Sequence, residues 1–268
     1  FKTWINELSS DAASTESKSN SQAVEPSSQP LVAAPSTINY ETLLDQQQFS
    51  NWVQKLQNSL LIAVDTETTS LDYMVADLVG ISVAVEAGEA VYIPFGHDYL
   101  GAPQQLSRDA VLEAIKPILE DPKIKKVGQN LKYDTSVLAQ HGIDLAGIAY
   151  DTMLESYVIN SVATRHDMDS LAQHYLDQTT TSFAEIAGKG ASQLTFNQIA
   201  LEQAGPYAAE DADITLRLHQ MLWPQVKADL PLKTLFEEIE LPLVKVLSRI
   251  ERTGALVDDT LLFQKSQK

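Results

Sequence analysis

An ordered change of hydrophobic period along the chain restricts the fold more than any other feature. Leu60 to Asp65 is an apolar run of strand length, and Val79 to Glu86 and Ala90 to Pro94 read as two further strands. Ala87-Gly88-Glu89 between the last two has the composition of a turn, so the sheet opens as a meander. The spacing then becomes helical. Ser107 is a credible N-cap for a helix with Val111, Leu112, Ile115 and Leu119 on one side, and Pro117 is expected to kink or shorten it. A short strand near Lys126 to Gly128 and a helix from Asn130 to His141 follow, then largely helical sequence. Before the meander, Tyr40 to Leu56 reads as helix-rich. A last helix from about Lys233 to Arg252 stops at Thr253-Gly254, where glycine suits a helix end. Strands first, then strand and helix in alternation, predict an α/β fold with a mixed sheet flanked by helices.

The N-terminal part follows a different rule. Residues 9–36 hold nine serines and three prolines, with no aromatic residue between Trp4 and Tyr40, and bury too little apolar surface to order themselves. They are expected to be a disordered linker, and a chain that begins at Phe1 with a short Trp-containing piece looks like a fragment of a longer protein. No apolar run approaches the roughly 20 residues of a membrane span, and the N-terminus lacks a signal-peptide layout, so no membrane partner and a cytoplasmic location are expected. The absence of cysteine excludes disulfides, thiolate zinc sites and cysteine nucleophiles. A formal net charge of −17 argues against the basic footprint of a duplex binder. A single-stranded end held by metal ions, stacking side chains and a few cations remains compatible with it.

Three segments carry the chemistry. On a strand, residues two apart share a face, so Asp65 and Glu67 project side by side; two like charges that close call for a cation such as Mg²⁺ or Mn²⁺. Taken by itself the pair also fits a solvated strand end. Tyr207 and Asp211 lie one turn apart in a helix whose start is read at Gly205-Pro206, and can act on the same water. Asp213, rotated 200° from Asp211, is expected to be ordinary surface charge. Asn130 and Asp134 are again four apart, with Tyr133 beside the acid.

Asp65-Thr66-Glu67-Thr68, Asn130-Leu131-Lys132-Tyr133-Asp134 and Tyr207-Ala208-Ala209-Glu210-Asp211 resemble the three motifs of the 3′-5′ proofreading exonuclease domains of bacterial DNA polymerase I. Those domains belong to the DEDD exonuclease superfamily, in the subgroup named for the tyrosine. The likeness continues through His166 to Leu171, Glu185 to Gly190 and Gln193 to Asn197. It implies a ribonuclease H-like, DnaQ-like fold for residues 37–227, between the tail of an upstream 5′ nuclease domain (1–8), the linker (9–36) and the start of a polymerase domain (228–268).

In that family's mechanism, one divalent ion would be held by Asp65, Glu67 and Asp211, and a second by Asp65 and, through water, Asp134. Mg²⁺ is the expected ion, with Mn²⁺ or Zn²⁺ as substitutes in vitro. Tyr207 would orient the attacking water. Thr68, Leu71, Gln129, Asn130, Lys132, Tyr133, Arg165 and Phe183 would contact the 3′ end of single-stranded DNA, with Leu71 and Phe183 wedged against the terminal bases. Lys189 could touch phosphate or be a solvated loop lysine, and His166 is read as structural. The polymerase and 5′ nuclease domains of the same chain are the expected partners, in a monomeric, nucleoid-associated enzyme. The competing readings are a ribonuclease D-like exoribonuclease and a catalytically silent scaffold.

Overall fold

The structure is a computed structural model and describes residue 35 and residues 37–267. The expected nuclease tail at 1–8 lies outside the described residues, as does the expected linker apart from Pro35.

Six strands form one mixed sheet in the order β1-β4-β3-β2-β5-β6: β1 (Asn39–Thr42), β2 (Leu61–Thr68), β3 (Leu78–Glu86), β4 (Glu89–Pro94), β5 (Lys125–Gly128) and β6 (Ile148–Asp151). The meander is antiparallel, β2 to β3 to β4, and turns at Gly88, whose φ of +84° suits a residue without a Cβ. β5 and β6 continue the sheet in parallel from β2, each reached through a helical crossover. The helix expected to open the domain is preceded by a strand that the sequence reading missed. β1 adds in parallel to the outer edge of β4, and only then does α1 (Gln46–Gln57) begin, capped by Asp45, whose carboxylate accepts from the amides of Gln47 and Gln48.

The remaining helices are α2 (Arg108–Leu119), α3 (Leu131–Gln140), α4 (Thr152–Ile159), α5 (Met168–Leu171, extended by a π turn to Leu176), α6 (Phe183–Ala187), α7 (Leu201–Ala228), α8 (Leu230–Leu235), α9 (Leu241–Thr253) and α10 (Asp259–Ser266). α2 runs two residues past Pro117, so the proline neither ends nor truncates it there; it lies on the exposed side, where water can serve the Glu113 carbonyl that it leaves without an amide. The expected C-terminal helix is divided, α8 and α9 being joined by a π turn at Phe236–Glu240, and Gly254 at φ +66° ends α9.

The two faces of the sheet are covered differently. Ile62 and Val64 of β2 point into a core with Phe49, Trp52 and Leu56 of α1, Val111 and Ile115 of α2, Val137 and Leu138 of α3, and Val244 of α9. Ala63 faces the other way, where α7 lies against Ala84, Ala90 and Val127 through Ala209 and Ala212. Small residues on both sides let α7 approach closely. A Cβ on Gly205 would sit 1.9 Å from Thr42 Oγ1.

That contact explains why the reading of Gly205-Pro206 as a helix start was wrong. Gly205 permits close packing on β1. Pro206 lies on the exposed side, where water can serve the Glu202 carbonyl that the proline leaves without an amide. The helix starts four residues before Gly205.

Asp213 corrects a second expectation. The rotation from Asp211 was right, but α7 is enclosed on that side as well, and Asp213 is fully buried. Its carboxylate accepts from Tyr40 Oη at 2.7 Å and from the Gly88 amide at 2.6 Å, and Arg217 Nη1 lies at 3.5 Å. It therefore ties α7 to β1 and to the β3–β4 turn.

Candidate active site

Asp65 and Glu67 leave β2 on the face covered by α7, which supplies Asp211, and ligand atoms of all three carboxylates lie within 4.8 Å of one another. Glu67 pairs with Gly80 in the antiparallel register, so no side chain shields it across the strand. A Cβ at Gly80 would come within 2.4 Å of Tyr92.

Asp134 reaches the site from the other layer. β5 runs parallel to β2 and α3 begins at its end, so the first turn of α3 lies over the end of β2. Asp134 is buried, and its Oδ1 accepts from Thr66 Oγ1 at 2.6 Å and from the Thr66 amide at 3.1 Å. Burial, and secondly the charge of the neighbouring Asp65, raise its carboxyl well above the ordinary carboxylate range.

The acids are held in a state that asks for a cation. Burial, and secondly the charge of Asp211, push the Asp65 carboxyl up to about 8. Burial together with the surrounding carboxylates drives Glu67 well above the carboxylate range, and burial does the same to Asp211. Glu67 Oε1 is buried without a hydrogen-bond partner. An oxygen-only donor set, mutual repulsion and an orphaned carboxylate oxygen all fit hard divalent ions such as Mg²⁺ or Mn²⁺.

Tyr207 lies one turn before Asp211 and interacts with its carboxylate; burial, then the charge of Asp211, raises the phenol above its ordinary value, so it stays protonated at neutral pH. Its ring centroid is 6.3 Å from that of Phe183 and 6.0 Å from that of Phe196. Phe183 thus stands at the edge of the site, at the start of α6, where Ser182 and Glu185 form a capping box.

The other expected contacts are distributed unevenly. Leu71 is 94% exposed on the loop after β2, free to meet a ligand but in contact with no core. Tyr133 Oη donates to the Ser70 carbonyl and shares a hydrogen bond with Thr68 Oγ1, fixing the loop that presents Leu71. Asn130 is the left-handed residue, φ +63°, that turns β5 into α3. Gln129 donates to the His166 carbonyl and accepts from Thr152. Lys132 is engaged by Glu251 of α9 at 2.7 Å. Arg165 is 89% exposed and 3.3 Å from Asp167. Lys189 is exposed on a loop. The His166 ring lies between Ser156 Oγ and the Ser161 carbonyl.

Two residues that the sequence reading passed over hold the frame. Thr66, between the acids of the first motif, fixes Asp134. Asp151, at the end of β6, caps two helices at once: it accepts from the amides of Asn130 and Leu131 at the start of α3 and of Met153 and Leu154 at the start of α4. An Asp directly before a helical run, a common N-cap, is the sequence signal that could have found it.

A family model described as 3′-5′ exonuclease matches residues 40–227. The chain belongs to that exonuclease family. Among curated relatives, DNA polymerase I of Pseudomonas aeruginosa is 55% identical over 270 residues, a match covering the whole of this chain and 29% of the relative. The chain thus corresponds to the exonuclease domain of DNA polymerase I and spans less than a third of that relative's length. Two solved structures share the exonuclease fold: the POL domain of Pol1 from M. smegmatis in complex with DNA primer-template and dNTP, and Brucella melitensis NrnC. The first has a TM-score of 0.65 at 21% identity and covers 83% of this chain and 34% of its own. The second has a TM-score of 0.57 at 19% identity, covering 81% and 94%. The ribonuclease H-like α/β sheet expected from the sequence is the observed fold.

Proposed function

We propose that this exonuclease domain hydrolyses the 3′-terminal phosphodiester of single-stranded or frayed DNA, with divalent metal ions, releasing nucleoside 5′-monophosphates. The convergence of Asp65, Glu67 and Asp211 within 4.8 Å, with Glu67 Oε1 lacking any partner, carries this reading. Asp65, Glu67 and Asp211 would hold one ion, and Asp65 and, through water, Asp134 a second. Bound there, such ions make hydroxide available near neutral pH and stabilise a departing 3′ oxygen.

The chain's own residues do the rest. Tyr207 keeps its proton, so with Asp211 taken up by an ion its hydroxyl would orient the attacking water by a hydrogen bond and not deprotonate it. Thr66 holds Asp134 against the cluster. Leu71 and Phe183 offer apolar and aromatic surface to terminal bases, a mode of contact tolerant of base identity. Asn130 and Lys132, at the start of α3, would meet the backbone of the strand, Lys132 exchanging Glu251 for a phosphate. Residues 228–268 are read as the start of a polymerase domain, and DNA polymerization and 5′ nuclease activity as properties of the longer protein, a soluble cytoplasmic enzyme at the nucleoid.

Digestion of a 5′-labelled single-stranded DNA in Mg²⁺ or Mn²⁺ tests the reading, beside EDTA and Asp211→Ala controls. A ladder shortening from the 3′ end and lost in both controls is expected. A folded chain that cleaves nothing would point to a scaffold, and preference for RNA to a ribonuclease.

A further inference from the structure

A cleft of about 620 Å³ opens between α3 and α9, and none of the four acids of the candidate active site lines it. Its α9 wall presents Lys245, Arg249 and Arg252, spaced so that all three fall on one helical face. The chain carries 36 acids against 19 lysines and arginines, yet among the described residues none of these three cations is in an ion pair. α9 is also anchored: Ser248 is fully buried against Ser136, Oγ to Oγ at 2.9 Å, and Val244 enters the main core. The cations are therefore presented on a fixed support, which lowers the ordering cost of binding.

The α3 wall adds an independent observation. Thr135 is 5% exposed, and its hydroxyl has no hydrogen-bond partner; Arg252 Nε is likewise buried and unpaired. Buried groups of this kind are normally satisfied. Hydroxyl, guanidinium and ammonium groups can all donate, so these unpaired groups call for a further acceptor in the cleft. Of its two acids, Glu120 is already engaged by the Asp144 amide at 2.9 Å and by Lys116 at 3.7 Å. Asp144 alone opposes an anion, which favours a singly charged one.

We propose that this cleft binds a phosphate group, as a phosphodiester of a nucleic-acid strand or as free phosphate. The site stands apart from the hydrolytic reading, because it can be assayed with the metal removed.

The test measures anisotropy of a labelled single-stranded oligonucleotide over a salt series in EDTA. It compares the parent with Lys245→Gln/Arg249→Gln, both exposed positions, and with Thr135→Val, after thermal melts show that each is folded. The double variant should bind about tenfold more weakly at low salt, and the slope of log affinity against log salt should fall by about 0.7 for each phosphate no longer neutralised. Thr135→Val should weaken binding several-fold with its slope unchanged. Displacement of the oligonucleotide by inorganic phosphate would identify free phosphate as a ligand; failure to displace it, with the variant effects intact, would assign the cleft to the strand. Unchanged affinity and slope in the double variant would overturn the proposal. So would a loss in the charge variant with none in Thr135→Val, since that is bulk attraction and not a site.

Discussion

Replacing Asp65 with Asn should stabilise the metal-free protein near neutral pH while abolishing its response to divalent ions. Burial and the Asp211 charge hold the Asp65 carboxyl at about 8, against about 3.9 in an unfolded chain. Because the folded-state value is the higher one, the folded protein retains a proton that the unfolded chain has lost. The resulting stability is fully present below about pH 4 and drains away as pH rises towards about 8. At about 1.4 kcal/mol per unit, the metal-free fold loses about 4 kcal/mol through this group between about pH 4 and pH 7.

An uncharged Asn removes the drain. At roughly 2–4 °C per kcal/mol for a chain of this size, Asp65→Asn should melt about 10 °C above the parent in EDTA at about pH 7.5, and level with it near pH 4. Adding Mn²⁺ should raise the parent and leave the variant unmoved. Differential scanning calorimetry across pH, with and without Mn²⁺, measures both. A variant that melts with or below the parent in EDTA at pH 7.5 would refute the argument that the cluster stores electrostatic strain.

Thr66→Val removes the 2.6 Å bond to the buried Asp134 and should cost about 2 kcal/mol in denaturant unfolding, with a larger fall in kcat than change in KM. Gly205→Ala places a methyl 1.9 Å from Thr42 Oγ1 and should destabilise by about 1–3 kcal/mol; adding Thr42→Ala should recover part of the loss in a double-mutant cycle. Asp213→Ala strands the buried Arg217 and should cost about 3–5 kcal/mol in the same assay, whereas a surface aspartate would cost almost nothing.

How far the sequence could be read depended on the range of the interaction. Asp65 and Glu67 share a face because strand period is local, and Tyr207 and Asp211 share one because helix period is local; both placements were legible before any tertiary contact was known. The meander and the α3 boundaries were legible for the same reason, since turn residues and apolar spacing act over a few positions. β1 was not legible: four residues, none of them buried, become a strand only because the edge of β4 offers them hydrogen-bond partners. Gly205-Pro206 carried a genuine local signal for a helix start, which the close approach of Thr42 overrode.

The motif chemistry, the α/β class and the facing of each acid on its own element are thus written in the linear chain. Packing between elements settled the rest. It encloses the opposite face of α7 as well, which turns Asp213 from surface charge into a buried tie. It also makes Thr66 and Asp151 the groups that fix Asp134 and its helix, and sets α9 across a cation-lined cleft from α3. The physical reason is the same in each case. Dihedral preference and hydrophobic period set how a side chain points from its own element, but burial, desolvation and the partners of a polar atom belong to the space between elements, and the folded chain alone defines that space.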